Sequence, residues 1–200
     1  MNPLNKSLFD IDLPGLPLEQ GRLLVAEPFL RDEYFNHAAI LLADYQKGEK
    51  AMGVVMNAAT EYTLGQLVEN IDEDLRIPIF CGGPMSRDRL FYVHTLGHLI
   101  PESREIADGI YIGGDFEAVI DYVAKGYPTE GMIRFFAGYS GWDAGQLEEE
   151  VRNHVWAVTE PLSFSRLLVG KGNSYWHKVV RTMGEPYRGW LYHPMFPACN

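Results

Sequence analysis

Two hundred residues, 46% of them hydrophobic and 22% charged, describe a single globular domain spanning residues 1–200 and argue against a disordered chain. A chain of this length buries about 70% of the surface it exposes when unfolded, so its core requires no disulfide or metal staple. The net charge of −10 is uneven: residues 1–159 hold 12 Lys and Arg against 25 Asp and Glu, and residues 160–200 hold 5 against 2. Phosphate backbones are repelled by the first part and only weakly drawn to the second, which argues against direct nucleic-acid binding by a monomer.

The opening MNPLNKSLFDIDLP lacks the basic start and apolar run of a secretory signal, and no stretch approaches the ~18 apolar residues of a membrane span. The two cysteines, Cys81 and Cys199, do not form a metal-binding or disulfide pattern, and Cys81 follows an apolar run as a buried or half-buried thiol. The expectation is a cytoplasmic protein with no membrane partner.

After an irregular lead containing Pro14, Gly15 and Pro17, the chain alternates short apolar runs with turn signals. Arg22–Ala26, His37–Ala43 and Met52–Met56 read as strands buried on both faces, the last two joined by a polar loop with Gly48. A helix is predicted from Thr63. Thr63 and Gln66 form a capping-box pattern, and Leu64, Leu67, Val68 and Ile71 make one apolar stripe. Ile77–Phe80 and Arg89–His94 read as strands, and Glu105–Ile112 as two short ones around Asp108-Gly109. Asp115 caps a second helix that buries Phe116, Val119, Ile120 and Val123 and ends at Gly126. Met132–Ala137 is a strand leading into a turn, Gly138–Trp142, and a helix capped by Asp143 with Trp142 stapled to Leu147. Strand Val155–Val158 and helices Leu162–Val169 and Ser174–Met183 complete the chain, the last burying Trp176, Val179, Val180 and Met183.

Four features invite chemistry. Gly138-Tyr139-Ser140-Gly141-Trp142 has the look of a nucleophile elbow, but Trp142 replaces the second glycine and no acid and histidine follow in a recognisable motif. His94 and His98 are four apart, a metal-binding spacing on helices, yet Gly97 and the strand-like run argue for loop or surface histidines. Cys81-Gly82-Gly83-Pro84 offers a thiol near Arg87 and Arg89, or two amides able to nest an anion; the bland reading is a tight turn after a buried strand. His177, Lys178 and Arg181 form a basic helix face that reads as solvated on so acidic a body. No catalytic set, metal site or cofactor motif is complete. If a small ligand binds, the glycine-rich turns are where it is expected: Gly82, Gly83, Tyr139, Ser140 and Trp142.

Three ordered segments carry a family resemblance. They are Gly21–Pro28 with Leu30, Asp32, Phe35 and Ile40–Leu42; Ala51–Asn57 with Gly82-Gly83-Pro84; and Phe136–Trp142 with Gly145–Glu148 and Glu150. In order and spacing the set resembles the AlgH/YqgE family of bacterial proteins. This chain departs from the family pattern after Asn57, where Ala58-Ala59 stands in place of a basic residue and proline. It also lacks the histidine often found near Asp44 and Tyr45. The resemblance implies an α+β fold, a mixed sheet curled into a barrel-like form with about four to five flanking helices. It implies no enzymatic activity, since none is established for the family, whose members are named as candidate transcriptional regulators. The expected function is therefore a non-enzymatic regulatory or interaction protein acting on an unidentified protein partner or small ligand. The alternative is a small-molecule-binding protein or unrecognised enzyme using the turn at 138–142.

Overall fold

The computed structural model describes residues 15–69 and 71–193; the predicted lead up to Pro14, and Cys199, lie outside them. Ten strands are present among the described residues: β1 (Leu23–Ala26), β2 (Ala39–Asp44), β3 (Ala51–Val55), β4 (Ala59–Thr63), β5 (Pro78–Cys81), β6 (Met85–His94), β7 (Arg104–Ala107), β8 (Ile110–Ile112), β9 (Ile133–Trp142) and β10 (Trp156–Thr159). Helices α1 (Leu64–Leu67), α2 (Phe116–Ala124), α3 (Gln146–Arg152), α4 (Phe164–Leu167) and α5 (Gly172–Thr182) flank them, with 3-10 turns at Glu73–Leu75 and Glu185–Tyr192.

The main path of the sheet runs β10-β1-β2-β3-β9-β6-β8-β7. Its pairs are antiparallel, and β5 joins β9 in parallel while β4 lies along β5. Side-chain alternation explains why the strands look apolar throughout. Leu23, Val25, Leu41 and Val54 enter one cluster, while their neighbours Leu24, Ile40, Leu42 and Val55 enter another on the opposite face.

The first cluster reveals the curl. It contains Ile106 of β7 and Ala157 of β10, the two ends of the path, together with Tyr175, Trp176, Val179 and Val180 of α5. A sheet whose opposite ends meet around one helix is bent about it, and α5 fills the hollow. Trp176 is fully buried there and its indole N–H donates to the Ala26 carbonyl at 3.1 Å. Burying such a side chain contributes on the order of 2–3 kcal/mol. The outer faces are covered by α3 over the β1–β3 half and by α1 and α2 over the β5–β9–β6 half. The fold is thus the α+β, mixed and curled form expected.

Local expectations fail in several places: Phe116, assigned to the buried side of α2, is 38% exposed at the helix start, and the helix expected over Leu162–Val169 is a single turn, Phe164–Leu167. The first helix is one turn long, because Val68 is already extended (φ −126°). Gln66 still accepts from the Thr63 amide at 3.0 Å, but a Cβ at Gly65 would stand 2.9 Å from the Glu73 backbone, so the chain folds straight back over it. Leu67, assigned to the apolar stripe, is exposed as a result. The predicted turn at Gly138–Trp142 is strand, since β3 takes up pairing there through Gly53–Ser140 and Ala51–Trp142. The next helix is capped at Gly145, not Asp143, although the Gln146 side chain returns to the Asp143 amide at 3.0 Å. The edge strand β4 went unpredicted, its residues being mostly exposed and its one partner β5.

Candidate functional site

The residues singled out at the glycine-rich segments are brought close, but mainly to one another. Gly82 donates its amide to Ala137 and accepts at its carbonyl from the Val55 amide and from the Ser140 hydroxyl, the latter at 3.0 Å. Ser140 is 0% exposed. A Cβ on Gly82 would lie 2.2 Å from the Gly138 carbonyl, so glycine is what lets the end of β5 lie against β9. Gly138 adopts φ +74° and shifts the alternation, leaving Phe136 and Tyr139 on the inner cluster while Trp142 enters the outer one. Tyr139 and Trp142 therefore pack on opposite faces of the sheet, while Gly82 and Ser140 meet between the strands. The Ser140 hydroxyl, spent on a carbonyl and sealed, holds the two segments together.

His94 is buried instead of lying on the surface, whereas His98 is exposed. The Leu96 amide donates to His94 Nδ1 at 3.1 Å, so Nε2 carries the proton and donates to the Gly113 carbonyl at 2.9 Å. Ser103 Oγ lies 3.2 Å from the same nitrogen and donates to Ile100. That tautomer offers Ser103 no lone pair, so the pair cannot act as nucleophile and base. Burial pushes the His94 pKa down, against an opposing pull from the Gly113 carbonyl. Among the described residues no group of three or more His, Cys, Asp or Glu is placed to hold a metal ion. Cys81 is half-buried with Sγ 3.7 Å from the Gly83 carbonyl, and Arg87 reaches toward the Tyr34 hydroxyl. On α5, Lys178 donates to the Arg166 and Val169 carbonyls and His177 Nδ1 faces the Asn173 carbonyl, so two of the three groups on its basic face are engaged locally.

The feature that sequence reading missed is Arg134. It interrupts the run Met132–Ala137 near the start of β9, is only 5% exposed, and has no carboxylate paired with it among the described residues. Its two terminal nitrogens donate to the Met56 and Gly170 carbonyls, and its guanidinium lies 4.1 Å from the centre of the Phe80 ring. Burial lowers its pKa to about 10, opposed by Tyr175 and Glu130, so it remains a cation at neutral pH. The guanidinium forms one wall of a cleft of about 470 Å³. Arg76 (φ +46°), Glu130 and Lys171 stand exposed on its rim, over an apolar wall that includes Leu75, Ile77, Phe80 and Ile133. A second opening of about 470 Å³ continues from Lys171 past Asn57 toward Glu33. A lone charged residue inside an otherwise apolar strand was the available signal, because buried arginines are rare unless paired.

The AlgH-like family model matches residues 23–188, most of the chain. The chain belongs to the AlgH-like family. Relatives of this AlgH-like chain include UPF0301 proteins of Parabacteroides distasonis, 37% identical over 98% of both chains, and of Bacteroides fragilis, 34% identical over 98% of this chain and 99% of that one. Its fold is similar to that of a crystallised Corynebacterium diphtheriae protein, with a TM-score of 0.70 at 18% identity, covering 88% of this chain and 93% of the other. The AlgH protein of Pseudomonas aeruginosa, solved in solution, gives 0.67 at 24% identity over 82% and 88% of the respective chains.

Two residues within the AlgH-like segments have clear structural work. Asn57, 5% exposed, accepts from the Ala39 amide and donates to the His37 and Gly172 carbonyls, while its own carbonyl accepts from the Gly172 amide. It thereby pins the loop that supplies Gly170 and Lys171 to the cleft. Glu150 accepts from both indoles, Trp142 at 2.8 Å and Trp156 at 2.7 Å, through one oxygen and from Gln146 through the other.

Proposed function

We propose that the protein is a non-catalytic regulatory or interaction protein that works by recognition, taking up a small ligand in the Arg134 cleft and presenting the result to a partner. The observation that carries this reading is the composition of the cleft. Its buried polar group is a cation held by two backbone carbonyls and an aromatic ring, over an apolar wall. Such a lining holds and orients a ligand; Glu130 and Thr129 stand at the rim without a histidine or cysteine beside them to form a nucleophile–base pair. The hydroxyl of Ser140 and the imidazole of His94 are committed to the fold by their own hydrogen bonds. The family resemblance supports a regulatory role, and no helix among the described residues is long and apolar enough to cross a membrane.

The test is turnover. Purified protein offered 4-nitrophenyl acetate, 4-nitrophenyl phosphate and a thiol-redox dye is expected to show no activity above buffer. Activity that disappears in Ser140→Ala or Cys81→Ala would make the protein an enzyme. A second reading, a ligand held against Gly82, Gly83, Tyr139, Ser140 and Trp142, has the half-buried Tyr139 beside exposed Gly141 in its favour. It requires the Ser140–Gly82 contact to open, and predicts that Tyr139→Ala abolishes ligand binding while Lys171→Ala leaves it intact.

A further inference from the structure

Reading the Arg134 cleft as a recognition site leaves open what it recognises, and its charge distribution answers at the level of chemical class. A buried guanidinium is costly to desolvate, and structural arginines in protein interiors are as a rule met by a carboxylate. Here no described carboxylate forms an ion pair with it, and Glu130 acts on it only from the cleft rim. The guanidinium has five N–H donors, and two protein carbonyls engage its terminal nitrogens. Those two bonds engage two of the five N–H groups, and Arg134 itself lines the cleft.

Positive charge is concentrated around it. Arg76 and Lys171 stand on the rim against a single carboxylate, Glu130. Lys178, whose pKa is lowered first by burial and then by Arg166 and Arg134, adds a further cation behind the α4–α5 loop. On a molecule of net charge −10, this is a local inversion of sign.

We infer that the cleft binds a small organic oxyanion, a carboxylate or phosphoryl group carried on an apolar body. The oxyanion meets Arg134 between Arg76 and Lys171, and the apolar body lies against Leu75, Ile77 and Ile133. This rests on the reading of the cleft as a recognition site. Arginine favours such groups because its planar donors match paired oxygens. The volume of about 470 Å³ suits a ligand of metabolite size.

The experiment titrates the full-length protein with phenylphosphonate, benzoate and inorganic phosphate at constant ionic strength, following backbone amide shifts by NMR. Expected is saturable binding of phenylphosphonate or benzoate, with shifts confined to residues 75–78, 129–134 and 168–172, and weaker binding of inorganic phosphate, which lacks the apolar body. Preference for phenylphosphonate assigns a phosphoryl ligand, and preference for benzoate a carboxylate. The exposed-site double variant Arg76→Ala/Lys171→Ala is expected to fold normally and to bind about tenfold more weakly. Arg134→Gln, which keeps a donor for the carbonyls but removes the charge, is expected to abolish binding. Absence of saturation by all three probes, or saturation unaffected in the double variant, overturns the inference. Because none of these probes is turned over, failure here leaves the non-catalytic reading standing, and turnover of the chromogenic esters leaves anion binding standing.

Discussion

Glu150 joins two tryptophans through one carboxylate oxygen, and this small arrangement sets how strand β9 meets strand β10. Trp142 and Trp156 pack edge to face at 6.2 Å, and their N–H groups converge on the same acceptor. Glu150→Ala leaves both donors unsatisfied and is expected to cost about 2–4 kcal/mol. Urea unfolding followed by tryptophan fluorescence measures it, and a loss under ~1 kcal/mol would show the contact to be dispensable. His94 makes a prediction of opposite character. Its folded form resists protonation, while the unfolded chain takes up the proton near pH ~6.5. Stability from this group is therefore complete above about pH 6.5 and falls as pH drops through that value toward the lower folded pKa. Denaturation midpoints collected between about pH 7.5 and 5 should decline less steeply in His94→Gln than in the parent; parallel slopes would assign the decline elsewhere.

At the level of elements, the segments most legible in the sequence were those whose signals agreed. Helix α2 has its Asp115 side chain accepting from the Glu117 and Ala118 amides, Val119 and Val123 buried, and Gly126 at φ +73°. Asp115→Ala is expected to cost about 1 kcal/mol, seen as a lower thermal midpoint. Helix α1 had an equally good capping box and stopped after one turn, because the path beyond it is decided by backbone contacts to Glu73 that no local pattern records. The Gly138–Trp142 segment misled for a related reason. Glycines there were read as a turn, but they admit close neighbouring backbones within a continuous strand. A methyl group at Gly82 would press on the Gly138 carbonyl from 2.2 Å, so Gly82→Ala should destabilise by about 2–3 kcal/mol through backbone displacement. A folded variant with unaltered amide exchange in β5 and β9 would refute that account.

For the whole molecule, the curl was reachable only through the family resemblance, since periodicity shows which residues are buried and not which ends of a sheet meet. The Arg134 cleft was likewise illegible. Its walls come from the segments near residues 75–80, 129–134 and 168–171, whose proximity is a product of the parallel β5–β9 pairing and of the Asn57 link. Asn57→Ala should cost about 2–4 kcal/mol and raise amide exchange across residues 170–172, checked by hydrogen–deuterium exchange.

The helix that fills the sheet's hollow, α5, also sets an order of events during synthesis. By the time Thr159 leaves the ribosome every described strand has been made, yet the segment that occupies the trough between them is still to come. Until then Leu23, Val25, Leu41 and Phe136 lack the α5 side chains that they pack with in the folded protein. A chain terminated after Thr159 would stay without them, and is expected to bind hydrophobic dyes and to sediment from lysates, whereas supplying the 160–193 segment as a peptide should restore solubility. The sheet is in this sense shielded by a helix that follows all of its described strands in the chain.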